Sequence, residues 1–206
     1  MEKPTLLVAT NNPGKVREMS QLLADLPFRI VRPSDLGLKL AVPETGATYA
    51  ENARLKATAF AARTGLIALA DDSGLEIPAL DNWPGPYSAR VAGPGASDAA
   101  RRDVVLRRLE GHPARDRRAR FVCVVVVAAP TGVLAESEGV LEGRIATASA
   151  GSGGFGFDPI FVPEGFDQTL AMLSGEQKNR ISHRARAIEA LRPFLKRLAT
   201  EPRALR

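Results

Sequence analysis

The stretch that decides the fold class is Thr5-Leu-Leu-Val-Ala-Thr-Asn-Asn-Pro-Gly-Lys15, near the start of the chain. Its first half is a short apolar run bounded by turn residues, which is the pattern of a buried strand. After the loop, apolar residues recur at helical spacing from Val16, and Pro27 ends the predicted helix. Residues 28–32 predict a second strand. A strand, a loop, a helix and a strand in this order predict an α/β fold.

Downstream, predicted helices and strands keep alternating. The capping box Thr48-Tyr-Ala-Glu51 opens an Ala-rich helix that runs to about Thr64, and Gly65 suits the position after its end. Further predicted elements are a strand at 67–71, a charged helix at 97–110, a β-hairpin formed by 120–129 and 133–144, and a last helix at 182–198. The placement of the hairpin suggests a second lobe that faces the first across a cleft.

The size and composition suit one compact domain. The chain has 206 residues, of which 45% are hydrophobic, and it shows no internal repeat, so we treat residues 1–200 as one α/β domain with two lobes. Residues 201–206 then form a basic C-terminal tail. No apolar run reaches the roughly 20 residues of a membrane span. There is no signal peptide and Cys123 is the only cysteine, which together predict a cytoplasmic protein.

The charge of the chain is modestly basic. Lys and Arg number 28 against 23 Asp and Glu, which gives a formal net charge of +5. Such an excess suits a polyphosphate ligand, although it equally suits nucleic acid or no particular partner. Aromatic residues make up only 5% of the chain and do not interleave with the basic ones, so we expect no nucleic-acid partner.

Asn12-Pro13-Gly14-Lys15 lies between the first predicted strand and the first predicted helix. Backbone amides at such a helix start point towards an anion, glycine permits close approach, and Lys15 adds a positive charge. The segment is not a G-x-x-x-x-G-K-[ST] phosphate loop, and an ordinary turn with a solvated lysine explains it equally well. By itself the motif leaves both interpretations open.

Asp71-Asp72-Ser73-Gly74 follows a predicted apolar strand. Two adjacent carboxylates crowd like charges, which is unfavourable unless a cation neutralises them. Oxygen ligands around a Mg²⁺ that also holds substrate phosphates are a common arrangement. The alternative is a surface turn, because D-S-G is a favourable turn sequence, but the apolar strand before it favours the metal site. Glu44, in a loop, is a second candidate carboxylate.

Two further segments carry candidate residues. Residues 151–159 contain G-x-G-x-x-G, but a strand-like run follows where a dinucleotide-binding loop needs a helix. This loop could instead offer Phe155 as a stacking ring and Asp158 as a carboxylate for base edges, or it could be a packed turn with core phenylalanines. Ser182-His183-Arg184 opens the last predicted helix. No His/Cys spacing fits zinc and no serine lies in G-x-S-x-G, which argues against zinc chemistry and acyl transfer.

Taken in order along the chain, these segments resemble the inosine/xanthosine triphosphate pyrophosphatase family. No single motif is diagnostic, but the ordered set is specific and spans residues 7 to about 190. The matching stretches are ATNNPGK (9–15), ETG (44–46), ENA (51–53), ADDSG (70–74), PYSAR (86–90), GGFGFDPIF (153–161) and SHR (182–184). Pro86 and Val91 depart from the residues usual in the family, and neither is a proposed ligand.

The resemblance implies a homodimeric α/β protein with a long central mixed sheet, flanking helices and two lobes around a substrate cleft. It implies a Mg²⁺-dependent hydrolase that acts on the acid anhydride of deaminated purine nucleotides. Its substrates would be ITP, dITP and XTP, and its products the monophosphate and pyrophosphate. Such an enzyme cleans the nucleotide pool before polymerases use it.

The resemblance also implies roles for individual residues. Glu44 and Asp72 would bind or orient Mg²⁺ with Asp71 beside them, and Asp72 would be the catalytic proton acceptor that activates water. Phe155 would stack on the base. The substrate-binding residues that it implies are Thr10, Asn11, Asn12, Lys15 and Lys56 for the phosphates, Ser73, and Phe155, Gly156, Phe157, Asp158, Lys178, His183 and Arg184 for the base and sugar.

Two alternatives remain open from the sequence. The related pyrophosphatases that cleave dTTP and UTP can share this architecture, although the FGFD and SHR segments argue against them. A non-catalytic nucleotide- or RNA-binding module would instead use the basic surface. Release of pyrophosphate from ITP distinguishes these alternatives from the purine enzyme.

Overall fold

The computed structural model describes residues 3–200, except for the side chain of Arg115, so the predicted tail at 201–206 lies outside the described residues. Within them the chain forms helices and strands in alternation. The α-helices are α1 (Pro13–Leu22), α2 (Tyr49–Thr64), α3 (Asp98–Arg108), α4 (Gly175–Ile181) and α5 (His183–Thr200). The strands are β1 (Thr5–Val8), β2 (Arg29–Val31), β3 (Ile67–Ile77), β4 (Trp83–Pro84), β5 (Arg118–Ala129), β6 (Gly132–Ile145) and β7 (Phe161–Pro163).

The strands form one mixed sheet in the order β2-β1-β3-β5-β6-β7, with β4 paired to β3. β1 is parallel to both β2 and β3, as expected when a helix connects two strands. β4 is antiparallel to β3, and β7 is antiparallel to β6. The predicted α/β class with a central mixed sheet and flanking helices is therefore confirmed.

The chain divides into two compact units. The first unit consists, within the described chain, of residues 3–72, 123–139 and 184–200, and the second of Ser73–Val122 and Val140–His183. β3, β5 and β6 each contribute residues to both units.

Each unit has its own apolar core. In the first unit, buried side chains of β1, β3 and β5 pack with α1 and α5; they include Leu6, Val8, Leu69, Val125, Met19, Leu23, Ile188, Leu191 and Leu195. In the second unit, the cluster includes Leu75, Ile77, Val105, Leu109, Phe121, Ile145, Phe157, Ile160 and Phe161. Burial of such side chains contributes roughly 1.5–3 kcal/mol each. This packing fixes the strands and helices that carry the candidate site.

The structure corrects two predicted boundaries and adds one helix. β3 does not end at Asp71 but continues to Ile77, so the D-S-G segment is strand and not a turn. α1 ends at Leu22, five residues before the proline that was expected to end it. α4 was not predicted, although Ser174 and Gln177 form a capping box that marks its start. None of the helices in the described chain combines the length and apolar character needed to cross a bilayer.

Candidate active site

Asp71 and Asp72 lie in the middle of β3, and both are buried, with 2% and 5% of their surface exposed. Successive side chains of a strand point to opposite faces of the sheet. The two carboxylates form ion pairs with different basic side chains of the first unit, Asp71 with Lys15 and Arg184, and Asp72 with Lys56. The charges of Lys15 and Lys56 also act on both carboxylates.

One oxygen of Asp71 forms ion pairs with basic side chains of two helices. Lys15 Nζ, from α1, lies 2.9 Å from Asp71 Oδ2, and Arg184 Nη2, from α5, lies 3.0 Å from the same oxygen. Burial raises the pKa of the Asp71 carboxyl, but the positive charges of Lys15, Arg184 and Lys56 together bring it well below its ordinary value. Asp71 is therefore ionised, and it holds the two basic side chains in place.

The guanidinium of Arg184 has a second carboxylate partner, Glu18 on α1. Both residues are buried, and the resulting series of charges runs from Glu18 through Arg184 and Asp71 to Lys15. Although burial by itself lowers it, the neighbouring acidic groups keep the pKa of Arg184 above its usual range. The guanidinium of Arg184 thus binds two carboxylates of the first unit, and its expected place in the base pocket stays a prediction.

Asp72 belongs to a separate cluster with Lys56, Glu44 and Asn52. Lys56 Nζ lies 2.9 Å from Asp72 Oδ1 and 2.9 Å from Glu44 Oε1, and Asn52 Nδ2 donates to Asp72 Oδ2 at 3.3 Å. Burial raises the pKa of Asp72 despite the nearby charges of Lys56 and Lys15. For Lys56, burial lowers the pKa, but Asp72, Asp71 and Glu44 outweigh it and raise the pKa. Lys56 is thus charged and bridges two carboxylates.

The loop before α1 is arranged by its own side chains. Asn12 caps the helix, and its Oδ1 accepts the amides of Gly14 at 2.8 Å and Lys15 at 3.2 Å. Thr10 Oγ1 accepts the Asn12 amide at 3.2 Å, and Asn11 Nδ2 donates to the carbonyl of Leu40. The two helix-start amides expected to face an anion are therefore already satisfied by Asn12. What this loop presents is its polar side chains and the Lys15 ammonium.

In the second unit, the glycine-rich loop folds around Asp158. The buried carboxylate of Asp158 forms an ion pair with Lys178 and accepts the Phe155 amide at 2.8 Å. A Cβ on Gly154 would lie 2.0 Å from Asp158 Oδ2, so only glycine fits there. These contacts show that the Asp158 carboxylate helps to fix the conformation of the loop, and its expected contact with base edges stays a prediction.

The two phenylalanines of this loop have different surroundings. Phe155 is half-buried, and Lys178 Nζ lies 4.7 Å from its ring centroid. Phe157 belongs to the apolar core, so its side chain packs against protein. Of the two expectations for this loop, a stacking ring and a packed turn, Phe155 has the surroundings of the first and Phe157 those of the second.

His183 and Ser73, the remaining predicted residues, each adjoin in sequence a residue described above, Arg184 and Asp72 respectively. His183 is buried and stacks on Phe121, with ring centroids 4.7 Å apart and planes inclined by 16°. Ser73 follows Asp72 in β3 and is half-buried. His183 and Ser73 belong to the second unit, whereas Asp72 and Arg184 belong to the first.

Sequence reasoning missed Glu18 and Asn52 as site residues. Both lie one helical turn from a predicted residue, Glu18 three positions after Lys15 and Asn52 four positions before Lys56. Residues at these spacings share a helix face, so this periodicity could have identified them. Their partners, however, are 166 and 20 positions away in sequence.

The acidic residues of the first unit fit a cation that also binds substrate. Among residues 3–200 there is no group of three or more His, Cys, Asp or Glu side chains arranged to hold a metal ion. Mg²⁺ commonly needs only one or two carboxylates, because substrate phosphates and water complete its coordination. Glu44 and Asp72 already share one cationic group, and Asp71 Oδ1 is buried with no hydrogen-bond partner among the described residues. These oxygens suit a hard divalent cation.

Comparison with known proteins gives a consistent set of relatives. The model of the Ham1 family matches residues 6–194. A dITP/XTP pyrophosphatase of Desulforamulus reducens is 46% identical over 193 residues, which cover 94% of this chain and 96% of the relative. A dITP/XTP pyrophosphatase of Deinococcus deserti is 49% identical, over 90% of this chain and 86% of the relative.

Solved structures show the same fold. The Ham1 protein of Coxiella burnetii superposes with a TM-score of 0.83 and is 42% identical, covering 93% of this chain and 98% of that one. The Ham1 protein of Staphylococcus aureus gives a TM-score of 0.81 at 42% identity, with the same coverage. The match therefore extends over nearly the whole of both chains.

Proposed function

This chain belongs to the Ham1 family, and on that premise we propose that it is a nucleoside-triphosphate pyrophosphatase acting on deaminated purine nucleotides. It hydrolyses ITP, dITP and XTP to the monophosphate and pyrophosphate, and so removes these nucleotides from the pool. The observation in the structure that best supports this function is Lys56 Nζ, which lies 2.9 Å from both Glu44 and Asp72. A buried and a half-buried carboxylate that share one positive charge are suited to a ligand that carries both phosphates and a cation.

We assign binding of the phosphates to the first unit. Lys15 and Lys56 are the lysines that pair with Asp71 and Asp72, and both retain partial exposure, 14% and 12%. The side chains of Thr10, Asn11 and Asn12 lie immediately before Lys15 and offer neutral donors. A triphosphate competes with Asp71 and Asp72 for these lysines, because it carries more negative charge than either carboxylate.

Glu44 and Asp72, with Asp71 beside them, are the residues that would hold Mg²⁺. The ion, when bound, would neutralise charge on the polyphosphate. Asp72 accepts the proton of the attacking water, the α–β phosphoanhydride breaks, and pyrophosphate leaves. The contacts of Asp72 suit this role, because Lys56 and Asn52 hold its buried carboxylate in a defined position.

We assign recognition of the base to the second unit. Phe155 provides the ring that stacks on the purine, and Lys178 provides a hydrogen-bond donor next to it. Asp158 holds both of them in place through the Phe155 amide and the Lys178 ammonium. Ser73, His183 and the backbone at Gly156 and Phe157 complete the set assigned to the base and sugar.

The assignment of Arg184 changes in the light of its contacts. Its guanidinium binds Asp71 and Glu18, so we propose that it supports Lys15 and the acidic pair, and does not touch the base. We further propose that the enzyme is a homodimer that acts in the cytoplasm, as the family resemblance suggests.

A nucleotide panel tests the proposed function directly. Release of pyrophosphate is measured with ITP, dITP, XTP, GTP, ATP and dTTP in the presence of Mg²⁺, with the D72N variant as the control for contaminating activity. We expect rapid release from ITP, dITP and XTP, and slow release from ATP. A preference for dTTP would indicate a pyrimidine enzyme, and nucleotide binding without any release would indicate a binding module.

A further inference from the structure

The backbone of Gly156 is held on both sides of its Cα by side chains of α3. Its N–H, in the peptide group that joins it to Phe155, donates to Asp98 Oδ2 at 2.7 Å, and its carbonyl, in the peptide group that joins it to Phe157, accepts from Arg102 Nη1 at 3.0 Å. Asp98 and Arg102 are four residues apart, so they lie on one face of the helix. Hydrogen bonds with a charged partner are stronger than neutral ones, and these two therefore fix the orientations of both peptide groups that flank Gly156.

Gly156 is the point at which this loop could turn the neighbouring ring. It has a φ of +61°, and it separates Phe155, which is half-buried, from Phe157, which is anchored in the core. Rotation about the φ and ψ bonds of Gly156 would move Phe155 relative to Phe157 without disturbing the core. Fixing the two flanking peptide groups therefore fixes the direction in which the Phe155 side chain leaves the backbone.

Other hydrogen bonds fix the part of the loop that precedes Gly156. The Gly153 amide donates to the carbonyl of Ala171 at 2.9 Å, and the Phe155 amide donates to Asp158 Oδ2 at 2.8 Å. The α3 contacts hold the chain after Phe155, whereas these hold it before. The backbone is thus fixed on both sides of Phe155, and the side chains of α3 supply the hydrogen bonds on one of these sides.

Asp98 is itself oriented for this contact. Its Oδ1 accepts from Arg101 Nη1 at 2.8 Å, which leaves Oδ2 directed to Gly156. It lies in the first turn of α3, after the Ser97 cap, where a negative charge is favourable. Its carboxylate is therefore held in a defined position and can position the loop.

We propose that Asp98 and Arg102 are positioning residues that hold the Phe155 loop in the conformation that stacks on a purine base. The inference rests on the proposed function, because it takes Phe155 to be the stacking residue. Stacking is insensitive to the edges of the base, so this pair should affect affinity and leave the choice among purines unchanged.

Steady-state kinetics with ITP and ATP test the proposal in D98A and R102A. We expect the KM for both nucleotides to rise roughly 3- to 10-fold, the scale of one lost hydrogen bond, with kcat within twofold of the unmodified enzyme. D98N keeps an acceptor and R102K keeps a donor, so each should recover most of the loss. D103A removes an exposed charge from the same helix and should change nothing.

A double-mutant cycle separates positioning of the ring from a general effect on the fold. In a Phe155→Ala background, Asp98→Ala should change the KM less than twofold, because the ring that it positions is gone. An equal rise in KM in both backgrounds would overturn the proposal, as would an unchanged KM in D98A and R102A or a fall in kcat alone. A lower melting temperature with an unchanged KM would show a purely structural role and also overturn it.

Binding of inosine monophosphate, measured by calorimetry, tests the positioning role separately from the proposed function. If the unmodified protein released no pyrophosphate from ITP, the proposed function would fail. Weaker binding of the monophosphate in D98A than in D103A would still support the positioning role. Equal binding in these two variants, or none in the unmodified protein, would overturn it.

Discussion

Lys15 Nζ lies 2.9 Å from Asp71 Oδ2, and both side chains belong to a buried series of charges that ends at Glu18. The lysine that we assign to phosphate binding is therefore held by a carboxylate that is fully shielded from solvent. Loss of the Asp71 carboxylate should therefore affect the free energy of unfolding more directly than the catalysed reaction.

Asp71→Asn should lower the free energy of unfolding by about 3–5 kcal/mol, because Lys15 and Arg184 lose the charge that neutralises them in a buried place. Urea unfolding at pH 7 measures the loss. The exposed Asp103→Asn on α3 is the control and should change stability little. A difference between the two variants below 1 kcal/mol would contradict the importance of this ion pair.

The contribution of Asp71 should also depend on pH. Its pKa in the folded protein is below that of the unfolded chain, about 3.9, so its stabilising effect is complete above the unfolded value. The effect is lost as the pH falls from the unfolded value through the folded one. The stability difference between the unmodified protein and D71N should therefore be constant from pH 7 to 5 and shrink below about pH 4. A difference that grew on acidification would be inconsistent with this sign.

Asp72→Asn should reduce kcat by roughly 100-fold or more, the scale of a lost general base. The fold should survive, because burial raises the pKa of Asp72 and a neutral amide suits the same place. Lys56 also keeps its contact with Glu44. Rates of pyrophosphate release and a thermal melt measure the two effects, and near-normal turnover would remove Asp72 from the mechanism.

Lys15→Ala should weaken binding of ITP far more than binding of inosine, because the lost contact is with phosphate. Arg17→Ala removes an exposed positive charge two residues away on α1, so it controls for a change in net charge. Calorimetry with both ligands measures the difference. Equal losses for ITP and inosine would point to a misfolded loop and not to a phosphate contact.

Selectivity between ITP and ATP should depend on Lys178 and not on Phe155. Hypoxanthine has an oxygen at C6 where adenine has an amino group, and a buried donor left unpaired by adenine costs about 1–3 kcal/mol. Lys178→Met should therefore narrow the ratio of kcat/KM for ITP and ATP by roughly 5- to 100-fold. Phe155→Ala should raise the KM for both nucleotides alike.

Arg184 is the informative comparison for selectivity. Its guanidinium binds Asp71 and Glu18, so Arg184→Met should destabilise the protein and leave the ITP-to-ATP ratio unchanged. A narrowed ratio in R184M would restore the expectation from sequence that this residue contacts the base. An unchanged ratio in K178M would show that selectivity lies elsewhere.

The sequence by itself determined the features that depend on neighbours along the chain. The N-terminal strand, loop and helix, the cap of α2 at Thr48 and the hairpin of β5 and β6 all follow from periodicity and capping chemistry, which act over a few residues. The ordered motifs also carried the family, which the comparisons with known proteins confirm.

Only the tertiary structure decided which ion pairs Asp71 and Asp72 form. Local turn chemistry suggested that the chain bends at Ser73-Gly74, but pairing within the sheet keeps these residues extended, and the two carboxylates form ion pairs with different basic side chains. Arg184 reaches Asp71 across 113 positions of sequence, a contact that the packing of α5 creates and that no local pattern encodes. The choice of partner for a buried charge is a long-range property, because it depends on which elements the core brings together.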